Sequence, residues 1–173
     1  MIRNPITKEQ ISSLQEEIRP LRNGFDLLGD HVIITDAHAN ILYANEAVES
    51  HTGFSRDEII GKTPADLWGG FMDKKFYANM WFMIKESKSP FVGEVQNRKK
   101  DGTTYWQELR IFPFFGKDGE TRFYIGIEPD ISRKKVLEGH TRQYIEELEH
   151  LNKYLSENKI KVEELAQHLV DAK

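Results

Sequence analysis

Residues 91–131 read FVGEVQNRKKDGTTYWQELRIFPFFGKDGETRFYIGIEPDI, and this stretch decides the fold. It contains three runs with β-strand character, at 91–98, 104–115 and 122–131. Both connections between these runs carry the sequence Lys-Asp-Gly, and Asp-Gly is a strong signal for a hairpin turn. The stretch therefore predicts a meander of three antiparallel strands.

Two shorter β-rich runs precede the meander. They are Val32–Thr35 and Ile41–Tyr43, and the Asp and Asn residues between them suit a tight turn, so the two runs predict a hairpin. From Asn45 to Ser89 short helical pieces follow, with one longer helix from about Asp73 to Glu86. This order predicts an α+β domain with one antiparallel sheet and helices on one of its faces.

Region 1–24 predicts an amphipathic helix, because four apolar residues recur at spacings of three and four. Pro20 lies inside this pattern and predicts that the helix weakens or ends there. A lone helix this short is marginal in water. We therefore expect it to pack either on its own domain or on a second copy of the chain.

Region 132–173 predicts a long helix that forms a coiled coil. It has no proline, its apolar residues alternate at spacings of three and four, and Asn158 occupies one position of the same seam. Ile145 and Ile160 lie off this seam, so packing of the helix against another domain stays open beside a parallel two-stranded coiled coil. The residues predicted at a dimer interface are Ile11, Leu14, Ile18, Leu21, Leu148, Leu151, Leu155, Val162, Leu165 and Leu169.

Composition excludes several classes of protein. Lys and Arg number 24 against 28 Asp and Glu, a net charge of −4, so no overall positive field favours nucleic acid. There is no cysteine, which removes disulfides, thiolate nucleophiles, cysteine-based metal sites and iron–sulfur clusters, and no metal site is expected. No apolar stretch is long enough to span a membrane. We expect a cytoplasmic protein.

Short motifs run through region 25–131 in a consistent order. They are Thr52-Gly53-Phe54, Glu58–Lys62, Asn97–Gly102, Tyr105-Trp106, and Gly126-Ile127 followed by Asp130-Ile131-Ser132. In this order and spacing the region resembles the PAS family of bacterial sensory domains. The resemblance implies a five-stranded antiparallel sheet that, with its helices, encloses a small-molecule pocket or a packed core. It also implies a homodimer formed through the flanking helices.

The resemblance also bears on cofactors. Trp81 and Asn97 match the tryptophan and asparagine that lie beside the flavin ring in FAD-binding redox PAS domains, so they are the candidate flavin or ligand residues. The apolar spacing around Trp81 suits a core equally well. FAD, another small ligand and an unliganded core therefore stay open. A LOV-type FMN adduct is not expected because it needs a cysteine, and haem is not expected because the predicted helix from Asp73 to Glu86 has no histidine.

The three histidines outside the last region, His31, His38 and His51, are assigned to turn, strand-edge or surface positions. No catalytic motif is present, so we do not expect an enzyme, although the chain could be the sensory fragment of a histidine kinase or diguanylate cyclase. The resemblance implies that a ligand, redox or partner signal leaves the sheet through Asp130, Ile131, Ser132 and Arg133 and reaches an output domain. In this interpretation Asp130 caps the last helix and pairs with Arg133. A ligand-free interaction and dimerisation module is the alternative.

Overall fold

The computed structural model describes residues 7–172, apart from the side chains of Lys8, Gln10, Leu169 and Val170. The ends of the first and last predicted regions, residues 1–6 and 173, lie outside the described residues. The side chain of Leu169, predicted at the dimer interface, lies outside them as well.

Five strands form one antiparallel sheet in the order β2-β1-β5-β4-β3, as the resemblance implies. The strands are β1 (His31–Asp36), β2 (Ile41–Ala44), β3 (Phe91–Arg98), β4 (Thr104–Phe115) and β5 (Thr121–Glu128). The last strand is shorter than predicted. It ends at Glu128 because Pro129 has no N–H to donate to the strand ladder.

Six helices accompany the sheet in the described chain. They are α1 (Lys8–Phe25), α2 (Glu46–Thr52), α3 (Arg56–Ile59), α4 (Pro64–Leu67), α5 (Lys74–Trp81) and α6 (Ser132–Asp171). Helix α5 begins where a carboxylate oxygen of Asp73 accepts the Phe76 N–H at 2.7 Å. The predicted longer helix is not one regular helix, because a π-helical turn, Phe82–Glu86, follows α5.

Side-chain alternation along the strands places separate apolar clusters on the two faces of the sheet. On one face, Ile33 and Ile41 pack with Trp68, which follows α4. On the other face, Val32 and Ile34 pack with Ile18 of α1. Helices α2 to α5 therefore belong to one face, and α1 covers the opposite one.

The sequence predicts that the first helix weakens or ends at Pro20, whereas α1 continues through this residue to Phe25, close to the end of the predicted region 1–24. Tertiary contacts hold the last turn: the Tyr43 hydroxyl donates to Asp26 Oδ1 at 2.6 Å, and the Asn45 amide donates to the Phe25 carbonyl at 2.9 Å. Ile18 is 4% exposed and buried in the chain's own core. These contacts outweigh the helix bond that proline removes.

The chain divides into two compact units after Ser132. Most of helix α6 forms the second unit, and its 40 residues confirm the predicted long helix. By itself this helix exposes an apolar seam, and its coiled-coil role stays a prediction. The exposed seam residues are Leu148, Leu151, Leu155, Val162 and Leu165.

Ile18→Ala should lower the free energy of unfolding by about 3 kcal/mol, because the change opens a cavity between α1 and the sheet. Leu21→Ala is the matched control: Leu21 is 51% exposed, and its loss should cost no more than about 0.5 kcal/mol. Urea denaturation followed by circular dichroism measures both variants. Equal, small effects would show that α1 does not belong to the domain core.

Candidate ligand-binding cavity

A cavity of about 400 Å³ lies between the sheet and helices α4 and α5. This volume falls in the range of small-molecule sites, roughly 300–1,000 Å³. Closely packed protein interiors rarely contain such a space. The apolar side chains of its lining include those of Ile33, Met80, Trp81, Ile84, Val95, Leu109, Ile111 and Tyr124.

Both residues predicted from the flavin resemblance, Trp81 and Asn97, line this cavity. The indole of Trp81 meets the Tyr124 ring edge-on at 6.1 Å between centroids, and Lys85 Nζ lies 4.3 Å from the indole centroid. These contacts hold the indole in one orientation. Contact of either residue with a ligand stays a prediction.

Glu128 is a buried acid on the same lining. Its Oε2 atom has no hydrogen-bond partner among the described residues. Burial raises the pKa of this carboxyl to about 7. A buried acceptor without a partner is costly in a folded protein, and a ligand N–H or O–H in the cavity would satisfy it.

Asn97 connects the cavity to a buried chain of polar side chains. Its amide Nδ2 donates to Gln107 Oε1 at 2.8 Å, and Gln107 Nε2 lies 2.7 Å from His31 Nδ1 and 3.0 Å from the Glu128 carbonyl oxygen. Gln107 is fully buried, so these contacts replace its bonds to water.

The polar chain continues through a pair of histidines. His31 Nε2 lies 2.9 Å from His51 Nδ1, and His51 Nε2 lies 3.2 Å from Asp130 Oδ2. Burial lowers the pKa of His31 to about 4, and the neighbouring His51 adds to the shift. Burial also lowers the pKa of His51, with Lys99 contributing. Both imidazoles are therefore neutral at pH 7.

The predicted signal-relay residues lie at the end of this chain. Asp130 Oδ1 accepts the Ser132 N–H at 2.7 Å, so Asp130 caps the first residue of α6. The Ile131 N–H donates to the Trp106 carbonyl at 2.8 Å, and the Trp106 N–H donates to Ser132 Oγ at 2.9 Å. The pairing of Asp130 with Arg133 stays a prediction, because Arg133 belongs to the second unit.

The charge of Asp130 follows from these contacts. Burial by itself would raise the pKa of Asp130, but hydrogen bonds from Ser132 outweigh it, and the pKa is lowered overall. The carboxylate is therefore ionised at neutral pH. It can accept hydrogen bonds from His51 and Ser132 at the same time.

Most of this network is not apparent from the sequence. The positions predicted for His31 and His51 are strand-edge, turn or surface positions, and no sequence motif points to Gln107 or Glu128. The structure buries His31 because the β1–β5 register places it opposite Glu128, and β4 lies next to β5. Alternation along each predicted strand was the available signal, but the contacts depend on the order of strands in the sheet.

Among residues 7–172, no group of three His, Asp or Glu side chains could hold a metal ion. None of the helices described there combines the length and the apolar character needed to cross a bilayer.

Known proteins resemble this chain in its middle region. The family profile described as PAS domain matches residues 29–133. A nitrogen fixation regulatory protein from Klebsiella oxytoca is 31% identical over 114 residues, which cover 66% of this chain and 23% of that protein. A blue-light-activated histidine kinase from Brucella anthropi is 28% identical over 131 residues, covering 74% of this chain and 26% of the kinase. The chain thus spans about a quarter of the length of each relative.

A solved structure supports the same fold. The PAS domain of a protein from Colwellia psychrerythraea superimposes with a TM-score of 0.59 at 24% identity, and the match covers 68% of this chain and 98% of that domain. The sheet and its helices therefore have the fold of that PAS domain.

Glu128 and His31 should make opposite contributions to the pH dependence of stability. Because the pKa of Glu128 is raised, its stabilising contribution to the free energy of unfolding is lost as pH rises from 4.5 towards 7. Because the pKa of His31 is lowered, its stabilising contribution is present above pH 6.5 and is lost as pH falls towards 4. Between pH 4.5 and 6.5 the two contributions therefore change in opposite directions.

In Glu128→Gln, the pH-dependent contribution of His31 to stability should therefore no longer be opposed by that of Glu128. We expect the free energy of unfolding of this variant to rise by about 2 kcal/mol between pH 4.5 and 6.5, whereas the wild type changes less. Urea denaturation across this pH range measures the difference. Parallel pH profiles for variant and wild type would contradict the assigned burial of Glu128.

Proposed function

This chain belongs to the PAS domain family, since the family profile covers residues 29–133, and from that membership we propose that it is a sensory module that binds a small ligand in its cavity. The observation that carries the proposal is a cavity of about 400 Å³ with mostly apolar walls and one buried acid whose Oε2 atom has no partner among the described residues. Pockets of this kind orient a ligand by a few polar contacts. The similarity of this chain to a nitrogen fixation regulatory protein and to a blue-light-activated histidine kinase supports a sensory role.

The lining favours a flat ligand that is mostly apolar and carries at least one hydrogen-bond donor. The ring system of FAD fits this description: Trp81 would lie along the ring, and Asn97 and Glu128 would contact its polar edge. Lys74, also on the lining, would meet a phosphate. A bound flavin would supply redox or light-dependent chemistry. The chain has no cysteine with which to form a thiol adduct.

The exposed seam of α6 supports the proposal that the module works as a homodimer. A helix of 40 residues is about 60 Å long, and its seam leucines and Val162 are about half exposed or more in the single chain. Pairing with a second copy in a parallel coiled coil would bury them. In this arrangement α6 carries the signal to an output domain or partner protein, and the chain itself is not an enzyme.

Flavin binding can be tested on protein purified from its natural host. We expect a flavin absorbance spectrum in the visible range, with the flavin released into the supernatant on heating. Asn97→Ala should weaken FAD binding at least about tenfold, the effect of losing one good polar contact in a buried site. Gln96→Ala is the matched control, because strand alternation turns Gln96 to the other face of β3.

A colourless protein that binds neither FAD nor FMN would exclude flavin as the ligand. Native mass spectrometry of the same preparation then distinguishes the remaining alternatives. An extra bound mass would identify a colourless ligand. Protein of the bare chain mass, with no ligand bound at any concentration tested, would support the ligand-free dimerisation module instead.

Dimerisation through α6 predicts that Leu155→Glu raises the dimer dissociation constant by at least about tenfold, because a charge would enter an apolar seam. Ile160→Glu is the control: Ile160 is equally exposed, at 55%, but lies off the seam. Analytical ultracentrifugation measures both variants. Equal weakening would show that the seam is assigned to the wrong face, and a monomeric wild type would contradict the dimer.

A further inference from the structure

A continuous series of polar side-chain contacts runs from the cavity lining to the first residue of α6. Asn97 lines the cavity and donates to Gln107 at 2.8 Å, and Gln107 reaches His31 at 2.7 Å. His31 reaches His51 at 2.9 Å, and His51 reaches Asp130 at 3.2 Å. Asp130 then accepts the N–H of Ser132 at 2.7 Å.

The chain has one consistent direction of donation, and a backbone carbonyl sets it. Gln107 Nε2 lies 3.0 Å from the Glu128 carbonyl oxygen, which can only accept, so the amide nitrogen must face this side. The same nitrogen must then donate to His31 Nδ1, 2.7 Å away. His31 is neutral at pH 7, so its single proton is on Nε2, from which it donates to His51.

The same reasoning assigns the tautomer of His51. His51 Nδ1 accepts from His31, so its proton is on Nε2, which lies 3.2 Å from Asp130 Oδ2. Every donor from Asn97 to His51 therefore points towards Asp130, which accepts from Ser132 on its other side. One amide orientation at Gln107 selects the tautomer of both rings.

We propose that this polarised chain couples the cavity to the start of α6, with His31 and His51 as positioning residues for Asp130. A ligand that engages the Asn97 amide withdraws the donor from Gln107 Oε1. The Gln107 amide does not turn over in response, because its oxygen would then face the Glu128 carbonyl oxygen. The Gln107 side chain shifts instead, which lengthens its contact with His31 Nδ1 and loosens the positions of His31 and His51.

This shift weakens the contact between His51 and Asp130 and with it the cap on α6. The proposed two states are the chain with the Asn97 donor on Gln107 and the chain without it, and coupling between sites requires such a pair of states. The inference rests on the proposed function for the presence of a ligand. The coupling itself is a property of the chain without ligand and can be tested there.

A double-mutant cycle between Asn97 and His51 tests the coupling in the ligand-free protein. We expect Asn97→Leu and His51→Leu each to speed amide hydrogen exchange at residues 131–138 by at least about fivefold, the lower end of typical coupling between sites. The double variant should show no more than the larger single effect, because either change already interrupts the chain. Asn97 shares no side-chain contact with Asp130 or Ser132 in the hydrogen bonds of the described residues.

Gln96→Leu and His38→Leu provide the matched control pair. Gln96 lies on the other face of β3, and His38 is an exposed residue in the β1–β2 turn. Both variants should leave amide exchange at residues 131–138 unchanged. Exchange in β1 and β5 reports the global stability of each variant. Additive effects in the cycle, or faster exchange spread equally over the strands, would overturn the proposal.

A second measurement needs no variant. Nitrogen chemical shifts of the imidazoles in the wild-type protein distinguish the two tautomers and the cation. We expect His31 and His51 both to carry their proton on Nε2 at pH 7, and His38 to show the averaged shifts of a solvated ring. A proton on Nδ1 of either His31 or His51, or a cationic ring, would overturn the polarity on which the coupling depends. A failure to bind flavin would affect neither test.

Discussion

The side-chain amide of Gln107 is the contact on which the buried polar architecture depends. It joins residues of four strands, because it bonds to Asn97 on β3, His31 on β1 and the backbone of Glu128 on β5 from its own place on β4. A buried polar group left without a partner costs about 1–3 kcal/mol. The amide therefore strongly favours one strand order and one register in this part of the sheet.

The cavity and the polar chain lie side by side on the face of the sheet that carries helices α2 to α5. Apolar side chains surround most of the cavity, and Glu128 is a buried acid on its lining with an atom that no described residue satisfies. Natural cores rarely keep such a group without a reason, since burial penalises its charged form. The acid and the neutral histidines lie on the same face of the sheet, next to the cavity.

The local sequence was a good guide wherever a short segment determines its own conformation. The Asp-Gly turns predicted the meander, and the capping carboxylate of Asp73 marks the start of α5. Local sequence signals were a poorer guide where contacts from residues distant in sequence determine where an element ends. The last turn of α1 persists beyond Pro20 because Tyr43 and Asn45 hold it, and these residues come from another element.

Taken alone, the sequence determined the strands, the long last helix, the family resemblance and two lining residues, Trp81 and Asn97. These features depend on periodicity, turn chemistry and motif spacing, which are local properties of the chain. Only the tertiary structure decided that His31 and Glu128 face each other and that His51 approaches Asp130. Hydrogen bonds between side chains far apart in sequence form only once strand order and register are set, and no local pattern encodes that geometry.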